Sequence, residues 1–257
     1  MALIRLNAFS QALGKAFRAQ VALPEAHEGP FPVLWLLHGA GDDASGWLRN
    51  TSIERHAARR GLAVVAPEAA LSMYEDMAHG QRYFSHIADE LPQMLTALLP
   101  LSARREDNFI AGLSMGGMGA LKIAMRRPER YEAVLCLSAG HTNYRFHEPK
   151  AGSPRYDRYL TAYGEAGPLP AEEETLARAR ALAASGKPCM RVWHACGDKD
   201  PLLRNARLTR DFFESLPGNP FRYEFHEYPG RHNWDFWDAR VPEMVEFALA
   251  GRPQEKP

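Results

Sequence analysis

Several features that would announce a partner by composition alone are missing from this chain. It has only three cysteines in 257 residues, Cys136, Cys189 and Cys196, with no CxxC pair and one left over from any pairing. That scarcity argues against a disulfide framework and a cysteine zinc site, and suits small buried hydrophobes instead. An excess of charge is also lacking: Lys plus Arg and Asp plus Glu are 31 each, and no block of like charge runs along the chain. Nucleic acid and anionic membrane are therefore not expected as partners. No stretch approaches the roughly 18 uninterrupted apolar residues of a membrane helix. The opening "MALIRLNAFSQALGKAF" has neither the apolar run nor the small-residue cleavage site of a secretory leader. The expectation is an unexported, cytoplasmic protein. P-loop and Rossmann glycine patterns are absent as well, and the Cys/His spacing does not suit zinc, so neither cofactor nor metal is expected.

What the chain does contain is a rhythm. "FRAQVALP" (Phe17 to Pro24) alternates apolar and polar residues, as a strand with one solvated face does. "FPVLWLLHG", "LAVVAPE", "NFIAGLS", "AVLCLSAG" and "MRVWHACG" are short, nearly continuous apolar runs closed by Gly, Pro or a polar residue, the pattern of parallel strands covered on both faces. Between them lie helix-like stretches over Ser52–Arg60, Phe84–Leu99, Met115–Arg127, Asn205–Leu216 and Trp237–Ala250. This order predicts a single α/β domain over residues 1–257, with a doubly wound, mostly parallel sheet and helices on both faces. One segment breaks the rhythm. Residues 141–188 are rich in Pro, Gly, Tyr and charge, with one clear helical tract, "AEEETLARARALAAS"; they read as an insertion or cap over the active-site end of the sheet. The final "GRPQEKP" reads as a frayed tail.

Chemistry concentrates where "NFIAGL", a buried strand, meets the helix "MGGMGALKIAMRR". At the junction stands Gly112-Leu113-Ser114-Met115-Gly116, a G-x-S-x-G nucleophile elbow, in which a strained turn lifts a serine hydroxyl clear of the sheet. A nucleophilic serine needs a base and an acid, and in this architecture they follow in the order acid, then histidine. "CGDKDPLL" offers Asp198 and Asp200 in a Gly-led turn after a strand, where open α/β sheets place functional groups. Asp200 is the preferred acid, because Asp198 sits nearer the turn and suits a capping role. After "FRYEFHEYPG", the last strand, "RHNWDFWD" puts His232 in a loop, where it is placed to take the serine proton. The Gly-rich loop after "WLLHG" supplies the remaining element: the backbone N–H groups of Ala40 and Met115 are the expected oxyanion donors, with His38 bracing the loop. Trp47, Tyr74, Met77 and Trp234 lie beside these loops and are candidates for the walls of the substrate pocket.

Taken together, "LLHGAGDDASGW", "YEDMAHGQRYFSHIADELPQ", "IAGLSMGGMGALKIAMRRPERYEAVLCLSAG", "CGDKD" and "PGRHNWDFW" resemble the esterase D and tributyrin-esterase branch of the α/β-hydrolases, over roughly residues 9 to 250. That group is similar to S-formylglutathione hydrolases and, more distantly, to feruloyl and acetylxylan esterases and mycolyltransferases. The resemblance maps the family's Gly-x-x-Asp turn onto Gly197 to Asp200 and its His-x-Trp motif onto His232 and Trp234. It implies a serine carboxylesterase acting on a small-molecule ester, and a homodimer. S-formylglutathione hydrolases usually carry a Gly-Leu-Thr-Cys-type loop where this chain has "HGAGDDASGW", so the tributyrin-esterase type is the closer match. Acyl transfer or thioester hydrolysis by the same triad is the alternative, ahead of a non-catalytic binding scaffold or a peptidase.

Overall fold

The computed structural model describes residues 1–25, 29–140, 152–164, 174–250 and 252. Eight strands form one sheet: β1 (Ala2–Ser10), β2 (Lys15–Leu23), β3 (Val33–Leu37), β4 (Ala63–Pro67), β5 (Asn108–Leu113), β6 (Ala133–Leu137), β7 (Arg191–Gly197) and β8 (Glu224–Tyr228), in the order β1-β2-β4-β3-β5-β6-β7-β8. β1 and β2 form an antiparallel hairpin that joins the sheet antiparallel to β4; from β4 to β8 every pairing is parallel.

The five short apolar runs are strands β3 to β7, and every residue of β3, β4, β5, β6 and β7 is buried. Their side chains divide by the two-residue period of a strand. Val33, Trp35, Leu37, Val65, Ile110, Val134 and Val192 enter one core, while Leu34, Leu36, Val64, Phe109, Ala111, Leu135 and Ala195 enter the other. Over the first core lie α3 (Tyr83–Ser85), a π turn His86–Glu90 that continues into α4 (Leu91–Leu98), α5 (Met115–Arg126), α6 (Pro154–Tyr163), α7 (Thr175–Ala184) and Phe213 of α8 (Leu203–Glu214), whose Leu203 and Ala206 pack with Cys196 in a small third cluster. The second is covered by α1 (Gly46–Asn50), α2 (Ile53–Ala58) and α9 (Trp234–Leu249). Helices on both faces of a largely parallel sheet make the doubly wound α/β architecture that the sequence implied.

The helical tract expected within 141–188 is α7. Its residues Leu176, Ala179 and Leu182 pack in the first core with Leu121 and Met125 of α5, so this part of the segment is a helix seated on α5. A second helix, α6, is tied by Ala78 N–H to Ala162 O and His79 N–H to Thr161 O, 3.0 Å each, to the loop that leaves the carboxyl end of β4. Ser153 caps α6 by accepting from Tyr156 N. Residues 141–151 and 165–173 of the expected insertion, and most of the expected tail, lie outside the described residues.

Candidate active site

The nucleophile position is built by two close approaches of backbone. β5 ends at Leu113, Ser114 takes φ +52° and ψ −120°, and α5 starts at Met115. A non-glycine residue in this region of φ costs on the order of 1–3 kcal/mol and persists only where its surroundings over-determine it. The constraint is visible at both flanking glycines. A Cβ on Gly112 would stand 2.3 Å from the Gly116 carbonyl, and one on Gly116 would stand 2.3 Å from Leu37 O and 2.7 Å from His38 O. The elbow is also tied sideways, since Ser114 N–H donates to Leu137 O at 2.9 Å. Ser114 is half-buried, and Met115 is the first residue of a 12-residue helix whose N-terminal amides favour negative charge.

The acid and the histidine meet directly. His232 Nδ1 lies 2.9 Å from Asp200 Oδ2 and 3.1 Å from Oδ1. Asp200 is buried and also accepts from Leu202 N–H at 2.8 Å. Burial alone would raise its carboxyl pKa, but the hydrogen bonds from His232, from the Leu202 amide and from the Ser138 hydroxyl outweigh it and hold the group below the ordinary carboxylate range. Asp198 serves the backbone instead. Its N–H donates to Tyr228 O at 2.8 Å, and its Oδ1 accepts from Gly230 N–H at 2.9 Å. It joins the turn after β7 to the turn after β8 and so sets the approach to His232. Asn233 then caps α9 by accepting from Phe236 N–H.

Two residues outside the expected set complete this corner. Trp237 Nε1–H donates to Ser138 Oγ at 2.9 Å, and its ring stands edge-on to His232 with centroids 5.1 Å apart and planes at 85°. Ser138 follows Leu137, the acceptor of the Ser114 amide, so one peptide separates the elbow's anchor from the hydroxyl that meets Asp200. The side-chain pairing spans 99 positions, which is why no local spacing points to it.

Of the expected pocket walls, two are corrected. Trp47 and Tyr74 are fully buried; Trp47 Nε1–H donates to Leu37 O at 2.9 Å and the Tyr74 hydroxyl to His38 O at 2.9 Å. Both brace the loop from beneath because their apolar bodies belong to the two cores while their single polar atoms find loop carbonyls. Trp234 is half-buried beside His232, edge-on to Trp47 at 5.6 Å and to Trp237 at 5.0 Å. Met77 is half-buried and packs onto the first core. Ala40 is exposed in the turn after β3. His38 is buried, accepts Ala69 N–H at Nε2 (2.9 Å) and therefore carries its ring proton on Nδ1, which donates to Gly39 O at 2.8 Å.

Among the described residues no group of three or more His, Cys, Asp or Glu could hold a metal ion, and no helix is long and apolar enough to cross a membrane. The thiols of Cys136 and Cys196 are buried and unpaired, and burial pushes both pKa values up. A cleft of about 530 Å³ between Trp193, Glu224, Glu246 and Phe247 lies at the amino ends of β7 and β8, away from the dyad.

The chain belongs to the esterase family, whose model matches residues 10–248. It is 26% identical to an acetyl esterase of Caldicellulosiruptor saccharolyticus, over 96% of this chain and 98% of that one. Among solved structures it is similar to the fluorophosphonate-binding serine hydrolase FphF of Staphylococcus aureus (TM-score 0.87, 28% identity, 96% of this chain and 98% of that one). A second similar structure is the S-formylglutathione hydrolase FrmB of the same organism (TM-score 0.82, 28% identity, with the same coverage). With these relatives, the chain is a serine hydrolase acting on ester bonds.

Proposed function

We propose that this chain is a carboxylesterase for small, short-chain acyl esters, with Ser114 as nucleophile, His232 as general base and then acid, and Asp200 as the group that orients and stabilises the imidazolium. The observation that carries the reading is the two-oxygen contact of Asp200 with His232 Nδ1. It fixes the tautomer whose Nε2 is free to accept the serine proton. The Ser114 oxygen attacks the ester carbonyl, and the tetrahedral oxyanion is held by the amides of Ala40 and Met115. His232 returns the proton to the departing alcohol, and water enters by the same route to release the acid. No cofactor takes part. The whole chain acts as one catalytic unit, a homodimer in a reducing cytoplasm where its free thiols persist.

The test is a set of initial rates on p-nitrophenyl esters from acetate to laurate, with wild type beside Ser114→Ala. A short-chain optimum that vanishes in the alanine variant supports the reading. Turnover retained by Ser114→Ala, or none by either protein, overturns it. The likeness to the S-formylglutathione hydrolase FrmB makes thioester cleavage the second reading; S-formylglutathione cleaved faster than any of the oxygen esters would favour it.

A further inference from the structure

Three consecutive carbonyls lead from the end of β3 into the Ala40 turn, and each is held from a different direction. Leu37 O accepts from Trp47 Nε1–H at 2.9 Å, and His38 O from the Tyr74 hydroxyl at 2.9 Å. Gly39 O accepts from His38 Nδ1–H at 2.8 Å and from Asp42 N–H at 3.3 Å. In a planar trans peptide the C=O and the N–H of the same unit point in opposite directions. Fixing these three carbonyls therefore fixes the N–H groups of His38, Gly39 and Ala40 in turn. The loop so held lies against the nucleophile, since a Cβ on Gly39 would stand 3.5 Å from Ser114 Cβ.

The brace from Tyr74 is itself clamped by the helix that Ser114 heads. Met73 and Tyr74 both adopt φ +55°, a conformation that costs energy for side chains of their size. Lys122 Nζ of α5 donates to Met73 O at 2.7 Å and lies 2.6 Å from Glu75 Oε1, while Arg126, one turn further on, lies 2.9 Å from Glu75 Oε2. Glu75 and Lys122 are buried. Nucleophile and oxyanion loop are thus referenced to the same helix, through the residues on either side of Tyr74.

The geometry points to Tyr74 and His38 as positioning residues that aim the backbone N–H groups of Gly39 and Ala40 at the oxyanion formed on attack by Ser114, with Trp47 anchoring the peptide just before them, an inference that rests on the triad reading given above. A turn after a strand is otherwise free to rock, and an oxyanion donor contributes fully only when it needs no reorganisation during the reaction. The three side chains remove that freedom without touching the substrate.

Tyr74→Phe deletes one hydroxyl and keeps the ring that packs under Gly119, where a Cβ would meet Tyr74 Cδ2 at 2.4 Å. The measurements are kcat and KM on a short-chain p-nitrophenyl ester, and the inhibition constant of a trifluoromethyl ketone, whose adduct with serine carries the oxyanion. The expected result is a fall in kcat of about tenfold with KM changed by less than about twofold, and ketone binding weakened by the same factor as kcat/KM. Trp47→Phe, which frees the carbonyl one unit upstream, serves if Tyr74→Phe does not fold, and is expected to fall on the same line of ketone affinity against kcat/KM. Full kcat and unchanged ketone affinity in a folded variant would overturn the aiming role. Loss of activity without a matching loss of ketone affinity would overturn it too. Ser114→Ala separates the two levels: an inactive Ser114→Ala beside a fully active Tyr74→Phe sinks only the aiming role, whereas an active Ser114→Ala sinks the triad reading beneath it.

Discussion

Trp237 reaches both sides of the acid–base pair, one directly and one through Ser138: its ring stands edge-on to His232 at 5.1 Å and its indole N–H donates to Ser138 Oγ at 2.9 Å. Ser138 in turn supplies Asp200 with a hydrogen bond that helps keep the carboxylate ionised. The serine backbone has φ +49° and donates to Ala195 O at 2.8 Å, so the hydroxyl is delivered by a constrained turn and not by a mobile loop.

Ser138→Ala removes one donor from a buried carboxylate and leaves the Trp237 N–H without its acceptor. A hydrogen bond to a charged group contributes about 1.5–3 kcal/mol, so kcat is expected to fall by about ten- to a hundredfold, with KM little changed. Steady-state kinetics on the preferred ester checks this. Wild-type kcat in the variant would show that the His232 and Leu202 contacts suffice to hold Asp200.

The two aspartates of the Gly197 turn should separate cleanly. Asp200→Asn keeps the shape but presents the wrong hydrogen-bonding partner to His232 Nδ1, and a loss in kcat of about 10³–10⁴-fold is expected by analogy with the same change in other serine triads. Asp198→Asn disturbs only the exposed contact to Gly230 N–H and is expected to cost less than about tenfold. Equal losses for the two variants would mean that the turn, rather than the dyad, controls the rate.

Much of this was legible in the chain because the parallel strands are buried on both faces, and a doubly buried strand has no choice but to be apolar throughout. β3 to β7 are such runs, and their Gly or polar ends mark where the active-site loops begin. β1 was not legible: its inward residues Ile4, Leu6 and Ala8 alternate as they should, but Leu3 and Phe9 on the outer face are 45% and 56% exposed and blur the pattern. Nor was α6, although Ser153 and Gly164, at φ +81°, bracket it with a cap and a left-handed stop. The strained turn at Ser114 and the pairing of Asp200 with His232 followed from chain order and turn chemistry. Trp47 and Tyr74 did not, because an aromatic beside a Gly-rich turn has the same sequence signature whether it lines a pocket or holds a carbonyl from within the core. Only the direction of its polar atom distinguishes the two.

The depressed pKa of Asp200 also makes a statement about stability. A carboxyl whose folded value lies below its unfolded value, about 3.9 for Asp, contributes stability that is fully present above the unfolded value and disappears as pH falls through the folded one. Wild type should therefore be more stable than Asp200→Asn by a margin that is constant from neutral pH down to about 5 and shrinks below about 4. Urea unfolding of both proteins across that range measures the margin. A margin that grows toward acid would mean that Asp200 is held protonated in the folded protein and that its donors do not outweigh burial.

Gly116 offers the sharpest test of how the elbow is assembled. It sits two residues after Ser114, and an added Cβ would lie 2.3 Å from Leu37 O and 2.7 Å from His38 O. Those are two of the carbonyls that Trp47 and Tyr74 hold, so neither side of the contact can yield by rotating a side chain. Gly116→Ala must push α5 off β3, and overpacking of this kind costs about 1–3 kcal/mol or more. Alanine also favours helix over glycine by about 1 kcal/mol, so a variant as stable as wild type would show that the backbone is free to move apart. The expected outcome is a lower denaturation midpoint together with a loss of kcat larger than that of Tyr74→Phe, because the nucleophile and the oxyanion loop move relative to one another. Retained kcat at lowered stability would instead mean that the shift is taken up in the body of α5, leaving the turn at Ser114 in place.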